Sequence, residues 1–368
     1  MIVLGARPQF VKSAPVIHEL LKRRGLKLQL INSGQHYDYE LSQIFFDQLK
    51  LPPHALNLQV GSGSHAIQTA KAMTRIEQAI LKLKPALVLV PGDTNTTLAA
   101  ALAAAKLTIP IGHIEAGARS FDMTMPEEIN RRVTDHISTM LFAPTKNAEH
   151  NLQNEGIAAG RIFQVGDTMV DTLRTVLPTA RESQKSLLEK MRLNKQDFLL
   201  VTAHRPGNVD NEEHLRGIVN ALLRISETRR VVFPAHPRAM HNLRSRGFIR
   251  RIRRWSNISL TKPLGYVEMI SLLDAASAVL TDSGGLQKEA YLLGVPCTTM
   301  RKSTEWPETI LAQANRLVDA NSQKIIRNVL DSRRTRTGMR LYDENPFSRG
   351  GASRRIVNTI LSNPLFDP

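Results

Sequence analysis

The sequence predicts an α/β protein built from two doubly wound parallel sheets. Three observations carry that expectation. The chain has 368 residues, beyond the ~100–200 typical of one domain. Short β-branched or apolar runs alternate with segments of helical periodicity along the whole chain, the pattern of repeated strand–helix units. Hydrophobic residues make up 42% and charged residues 22%, a balance that supports a fully packed globular chain.

In order, the expected strands are Met1–Leu4, Lys27–Asn32, Ala86–Val90, Ile109–Ile114, Met140–Ala143 and Ile162–Val165, then Phe198–Thr202, Arg230–Ala235, Ile258–Thr261, Ala278–Thr281 and Cys297–Met300. Helices are expected between them. In Asn211–Ser226, for instance, Leu215, Ile218, Val219, Leu222 and Leu223 fall on one face. A domain boundary is expected near Val165–Thr168, giving one domain from 1–165 and another from 166–351. A last helix, Ala352–Leu361, follows the turn-rich NPFSRGG and is expected to return to the first domain with residues 352–368. No low-complexity run or short-period repeat interrupts the pattern.

Composition narrows the function classes. The longest apolar stretch, Pro85–Ala105, is broken by Gly92, Asp93 and Asn95, and the amino terminus MIVLGARP lacks a basic lead before an apolar core. Neither a membrane span nor a secretion signal is expected. Cys297 is the sole cysteine, which rules out an intrachain disulfide or a four-thiolate zinc site and fits the reducing cytoplasm. The formal net charge is +16, densest in the arginine-rich segment Arg224–Trp255. Without a nucleic-acid fold motif, that segment reads as a solvated face in preference to a polyanion contact, and nucleic acid is not an expected partner.

In doubly wound sheets ligands bind beyond the carboxyl ends of the strands, so the loops after strands matter most. LVLVPGDTNTTLAAALAAAKL reads as strand, tight turn and helix, which puts Asp93 at a strand end. A turn or cap role explains Asp93 on that loop alone. The next strand, IPIGHIE, delivers Glu115 to the same edge, and two carboxylates on neighbouring strands exceed what one cap needs. Their proximity would push their pKa values apart, as acid–base chemistry requires. TMPEEINRRVTDHI offers a capping box of Thr124 and Glu127, with Pro126 in the first turn. That reading leaves Glu128 exposed and puts Arg131 one turn beyond Glu127 on the same face.

The second half repeats the strand–loop–helix theme. FLLVTAHRPGN places His204 and Arg205 after a strand, and VVFPAHPR places His236 and Arg238 likewise. Histidine exchanges protons near neutral pH and arginine forks onto phosphate oxygens. AVLTDSGGLQKEA gives a turn whose Ser283, Gly284 and Gly285 would aim N–H groups and a helix end at an anion. A capped helix with turn glycines explains the same residues without a ligand. Glu289, one and a half turns on, could reach ribose hydroxyls. GSGSHA at Gly61–Ala66 matches G-x-G-x-x-A, yet no acid follows at the distance a nicotinamide site needs. His113 and Glu115 form H-x-E without the P-C-x-x-C of zinc deaminases, so no metal site is proposed.

Taken in order, GARPQFVK, SGQHYD, GDTNTTLA, HIEAGARS, MPEEINR, FAPT, TAHRP, DSGGLQKEA and TEWPET resemble the non-hydrolysing UDP-N-acetylglucosamine 2-epimerase family over nearly the whole chain. The resemblance implies two Rossmann-like domains of glycosyltransferase-B (GT-B) type, with a UDP-sugar in the cleft and a last helix crossing back. It implies elimination of UDP across the anomeric carbon and carbon 2, then re-addition after reprotonation on the opposite face, without a cofactor. By motif, Asp93, Glu115 and Glu127 would be the acid–base carboxylates and His204 a catalytic histidine acting on the departing phosphate. Arg7, Lys12, Arg131, Arg205, His236 and Ser283, Gly284 and Gly285 would hold diphosphate or sugar, and Glu289 ribose. A homodimer is implied as well.

Gln35 would join the substrate-binding residues; some bacterial members carry a second, regulatory UDP-sugar site, to which Gln35, His204 and His236 could contribute, but the arginine it needs near GSGSHAI is not evident and that regulation is not expected. Departures from the family pattern include Gly207 in HRPGN, where a glutamate is common, and NPFSRGG with Arg349. The alternatives are a relative acting on UDP-2,3-diacetamido-glucuronic acid, a hydrolysing epimerase, or a UDP-sugar or polyanion binder without epimerase activity.

Overall fold

A computed structural model describes residues 1–34, 39–54, 56–332 and 340–366. Two compact units emerge: Met1–Thr175 with Glu344–Pro368, and Val176–Asp343. In the first unit seven parallel strands, β1 (Ile2–Leu4), β2 (Leu30–Asn32), β3 (Leu56–Asn57), β4 (Val88–Pro91), β5 (Ile111–Ile114), β6 (Met140–Ala143) and β7 (Ile162–Gln164), form a sheet of order β3-β2-β1-β4-β5-β6-β7. In the second, six parallel strands, β8 (Phe198–Thr202), β9 (Arg230–Pro234), β10 (Ile258–Thr261), β11 (Ala278–Thr281), β12 (Cys297–Thr299) and β13 (Asn315–Leu317), take the order β10-β9-β8-β11-β12-β13. Each order reverses beside the unit's first strand, which creates a switch point between β1 and β4 and another between β8 and β11.

The central strands are apolar on both faces because helices cover both faces of such a sheet. Every residue of β1, β4, β5, β6 and β11 is buried. Each strand expected from the sequence is present. The edge strands β3 and β13 were not expected; with two and three residues they are too short to show alternation.

Helix starts follow local capping chemistry. The helix Glu212–Ile225 is capped by Asn211, whose side chain accepts from His214 N–H at 3.0 Å, and it buries Leu215, Ile218, Val219 and Leu222. The last helix, Ala352–Leu361, belongs to the first unit. Asp171 holds its start, accepting from Ser353 N–H at 2.8 Å and Ser353 Oγ at 2.7 Å. The GSGSHA segment opens the helix His65–Leu83, with Ser64 as its cap.

The structure corrects the expected start of the helix Pro126–Ile137. Its cap is Met125, without a side-chain bond, so the Thr124–Glu127 capping box does not form. Asp122 takes Thr124 instead, accepting from its N–H at 3.0 Å and its hydroxyl at 2.6 Å. Several arginines of the basic segment serve local structure: Arg238 pairs with Asp210, Arg224 with Glu227, and Arg251 donates to Asn220 at 2.9 Å. Among the described residues no helix is long and apolar enough to cross a membrane.

Gly117, after β5, has φ +78°, and a Cβ there would lie 2.2 Å from the Ala148 carbonyl oxygen. Both backbone conformation and space demand glycine. Gly117→Ala is expected to cost about 3 kcal/mol and to lower Tm by several degrees, as measured by calorimetry.

Candidate active site

In the first unit the turns after β1, β4 and β5 are tied together by side chains from neighbouring elements. Gln9, in the helix Arg7–Leu21, accepts from Gly5 and Ala6 N–H at 2.8 and 3.0 Å and donates to the Pro91 carbonyl at 3.0 Å. This one amide joins the β1 turn to the β4 turn across the switch point. Lys12, one turn on, reaches Glu115 with Nζ 2.5 Å from Oε1, and both residues are buried. Gly92, at φ +68°, lies so close to that ammonium that a Cβ would sit 3.0 Å from it.

Glu115 takes the left-handed conformation, φ +71°, which costs a residue with a Cβ roughly 1–2 kcal/mol. Such strain persists where its surroundings over-determine it. Asp93, half-buried, pairs with Arg131 at 2.5 Å. Its main chain accepts from Asn130 Nδ2 at 2.9 Å. β4 and β5 are adjacent, with Val90 opposite His113 and Pro91 opposite Ile114, so Asp93 and Glu115 leave neighbouring strands at the same end.

Glu127 lies half-buried in the first turn of the helix Pro126–Ile137. The expectation for its neighbour is overturned: Glu128 is fully buried. It accepts from Ser120 N–H at 2.9 Å and Ser120 Oγ at 3.0 Å, and pairs with Arg131 Nη1 at 3.0 Å. Arg131 thus bridges Glu128 and Asp93. Helical spacing accounts for the Arg131 contact but not for the burial, because the Ser120 donors come from the preceding loop. Arg7, at the start of its helix, lies over the Phe45 ring at 5.9 Å. Gln35 lies outside the described residues.

The second unit has its own cluster, built on Asp282. This buried carboxylate follows β11 and accepts from the backbone N–H of His204 at 3.0 Å, of Arg205 at 2.9 Å, and from Asn208 Nδ2 at 3.1 Å. It also pairs with His204 Nδ1 at 2.9 Å, which leaves Nε2 for a ligand. Burial alone would raise the Asp282 carboxyl; the His204 charge and hydrogen bond, with the two backbone N–H groups, hold it far below the carboxylate range. The sequence reading passed over Asp282 as a turn residue. That it ends the strand beside the one carrying His204 is decided by the strand order, which local sequence does not show.

Around this cluster, His236 caps the helix Pro237–Ser245, with its ring 6.1 Å from that of His204. Arg205 donates from Nε to the Asp282 carbonyl at 3.0 Å. Ser283 caps the ten-residue helix Gly284–Leu293, whose first residues are Gly284 and Gly285. A Cβ on Gly284 would meet Glu305 Oε2 at 3.4 Å and Trp306 Nε1 at 3.5 Å. Glu305 is locked to Arg301 by contacts of 2.7 and 2.9 Å. Glu289, further along the helix, is buried and accepts from the Tyr266 hydroxyl at 2.8 Å.

Cys297 is buried and its thiol is pushed up to about 12 by burial, so it is no nucleophile. Among the described residues no group of three or more His, Cys, Asp or Glu is placed to hold a metal ion.

Two doubly wound units, each with chemistry-bearing side chains gathered at its switch point, define a protein of GT-B architecture. Residues 18–361 match the model of the UDP-N-acetylglucosamine 2-epimerase family, and the chain belongs to that family. A UDP-N-acetylglucosamine 2-epimerase homologue of Methanococcus maripaludis is 46% identical over 97% of this chain and 98% of its own. The UDP-2,3-diacetamido-2,3-dideoxy-D-glucuronate 2-epimerase of Pseudomonas aeruginosa is 43% identical over 98% of each chain. The crystal structure of Methanocaldococcus jannaschii UDP-GlcNAc 2-epimerase in complex with UDP-GlcNAc and UDP superposes with a TM-score of 0.92, at 42% identity, covering 98% of this chain and 99% of the other.

The Asp282 geometry predicts acid sensitivity. A group whose carboxyl is depressed on folding binds its proton more readily when unfolded, so its stabilisation is complete above the unfolded value, about 4, and fades below it. Asp282→Asn should therefore lose about 3 kcal/mol at neutral pH, and its deficit against the natural chain should shrink below about pH 4. Denaturant unfolding across pH checks both.

Proposed function

We propose that this protein epimerises UDP-N-acetylglucosamine at carbon 2, giving UDP-N-acetylmannosamine. The observation that carries the reading is the pair Asp93 and Glu115 at the ends of adjacent parallel strands, each in contact with its own cation, Arg131 and Lys12. A weakly acidic C–H bond needs a carboxylate to take the proton and a second acid to return one on the other face. In this reading Asp93, Glu115 and Glu127 share those roles. As the C2–H bond breaks, its electrons form the C1=C2 double bond and the C1–O bond to UDP breaks. The reverse addition, after reprotonation on the opposite face, completes the inversion.

The second unit supplies what the leaving group needs. The N–H groups of Ser283, Gly284 and Gly285 at a helix N-terminus, with Arg205, suit a diphosphate. His204, oriented through Nδ1 by Asp282, presents Nε2 to the departing phosphate. Glu289, held by Tyr266, suits ribose hydroxyls. Arg7 and His236 would add positive or donor groups, and no cofactor is called on. The homodimer and the cytoplasmic setting implied by the family resemblance belong to the same reading.

Incubation with UDP-N-acetylglucosamine in heavy water, followed by proton NMR, tests it. The expected result is the manno epimer with deuterium at carbon 2. Free sugar would indicate hydrolysis, and exchange only with the diacetamido-glucuronate nucleotide would move the substrate to that branch. Asp93→Asn, Glu115→Gln and Glu127→Gln should each lower kcat by about 1000-fold, the upper part of the range for acid–base groups. UDP affinity by calorimetry should stay within about threefold, since those residues face the proton chemistry.

A further inference from the structure

The first unit holds a ring of buried and half-buried charges of which the proton chemistry above uses only Asp93 and its partner Arg131. His113 is fully buried on β5, two residues before Glu115. Its Nε2 lies 2.7 Å from the Gly92 carbonyl oxygen and its Nδ1 lies 2.6 Å from Asp135 Oδ1. Asp135 Oδ2 takes Arg119 Nη1 at 2.7 Å and Gly117 N–H at 3.1 Å. Arg119 forks onto Glu155 at 2.9 and 2.7 Å. Glu155 meets Arg132 at 3.4 Å, Arg132 meets Glu128 at 3.4 Å, Glu128 meets Arg131 at 3.0 Å, and Arg131 meets Asp93 at 2.5 Å. Asp93 follows Gly92, so the chain of contacts closes on itself.

Both partners of the His113 ring nitrogens are oxygen acceptors. A carbonyl and an ionised carboxylate both accept, so contacts this short to both ring nitrogens require an N–H on each. Asp135 stays ionised: burial would raise its carboxyl, but the charge and hydrogen bond of His113, then of Arg119, hold it below the usual range. With His113 charged, the ring alternates cation and anion and sums to zero; with His113 neutral it would hold an uncompensated buried negative charge. The charged group against the imidazole is Asp135 on the helix Pro126–Ile137; Arg119 in the loop after β5 pairs with Asp135 and Glu155 pairs with Arg119, while Lys12 with Glu115 and Asp93 with Arg131 flank the Gly92 turn.

We propose that His113, as an imidazolium, is a positioning residue for the epimerisation: by clamping the Gly92 carbonyl it sets Asp93 against Glu115, which its own strand carries. The same glycine donates its N–H to the Ile114 carbonyl at 2.9 Å, so both sides of the β4 turn are fastened to β5. Misplacing a reacting group by about 1 Å can cost 100-fold in rate, which is the scale of effect this clamp should control. The proposal rests on the epimerase reading.

Its test combines three measurements on the full chain. In the natural protein labelled with ¹⁵N-histidine, the ring nearest Gly92 should show two N–H groups at neutral pH. His113→Gln should lower kcat about 100-fold while KM stays within about threefold. Asp135→Asn removes the carboxylate that holds Nδ1, so its kcat should fall about 100-fold as well, again with KM within about threefold. A ring with one N–H, a folded His113→Gln enzyme of unchanged kcat, or failure of both variants to fold would each overturn the positioning role. Absence of carbon-2 exchange in the natural protein would instead sink the epimerase reading, while the NMR result on His113 would still stand.

Discussion

A carboxylate at the end of a buried parallel strand must find a cation or several donors, and in the first unit the pair Lys12–Glu115 answers that constraint. Removing two charges from water costs several kcal/mol per ion, and only close, well-satisfied geometry repays it. At 2.5 Å the pair meets that condition. It also joins the helix Arg7–Leu21 to the end of β5 and accompanies the left-handed backbone of Glu115. Gly92 is a glycine partly because that ammonium lies against it.

The second unit meets the same constraint by other means. Asp282 is as buried as any carboxylate in the chain, yet it is satisfied mainly by N–H donors of the β8 loop and one imidazole. The result is an acceptor that orders the backbone of His204 and Arg205 and selects the histidine nitrogen left open. Neighbouring strands β8 and β11 make this possible, because their ends must lie side by side. The two units therefore use one topology for different chemistry: paired charges around carboxylates in the first, and donors at a helix start with an oriented histidine in the second.

The architecture was largely legible from the chain. Repeated strand–helix periodicity and the positions of Asp93, Glu115, His204 and Ser283 after apolar runs follow from local physics, since side-chain period and turn chemistry act within a few residues. The last helix, Ala352–Leu361, was legible to its ends for the same reason. The edge strands β3 and β13 were not, because pairs and triplets of residues carry no periodic signal and form only against a neighbour already in place.

The candidate site divides along the same line. Residue types and their strand-end positions are sequence properties, and they sufficed to nominate the candidate carboxylates and the Ser283–Gly285 turn. Which acid meets which base is set by contacts between segments far apart in the chain, such as Lys12 with Glu115 or His204 with Asp282. For that reason Glu128, read as exposed from helical spacing, proved fully buried: a loop eight residues earlier folds over it. Gln9, Asp282 and the His113–Asp135–Arg119 cluster stayed hidden until the strands were in order. The sequence by itself determined the units, their strand ends and the chemical groups available there. Only the tertiary structure decided their pairing, because burial makes an unpaired charge too costly and long-range packing chooses its partner.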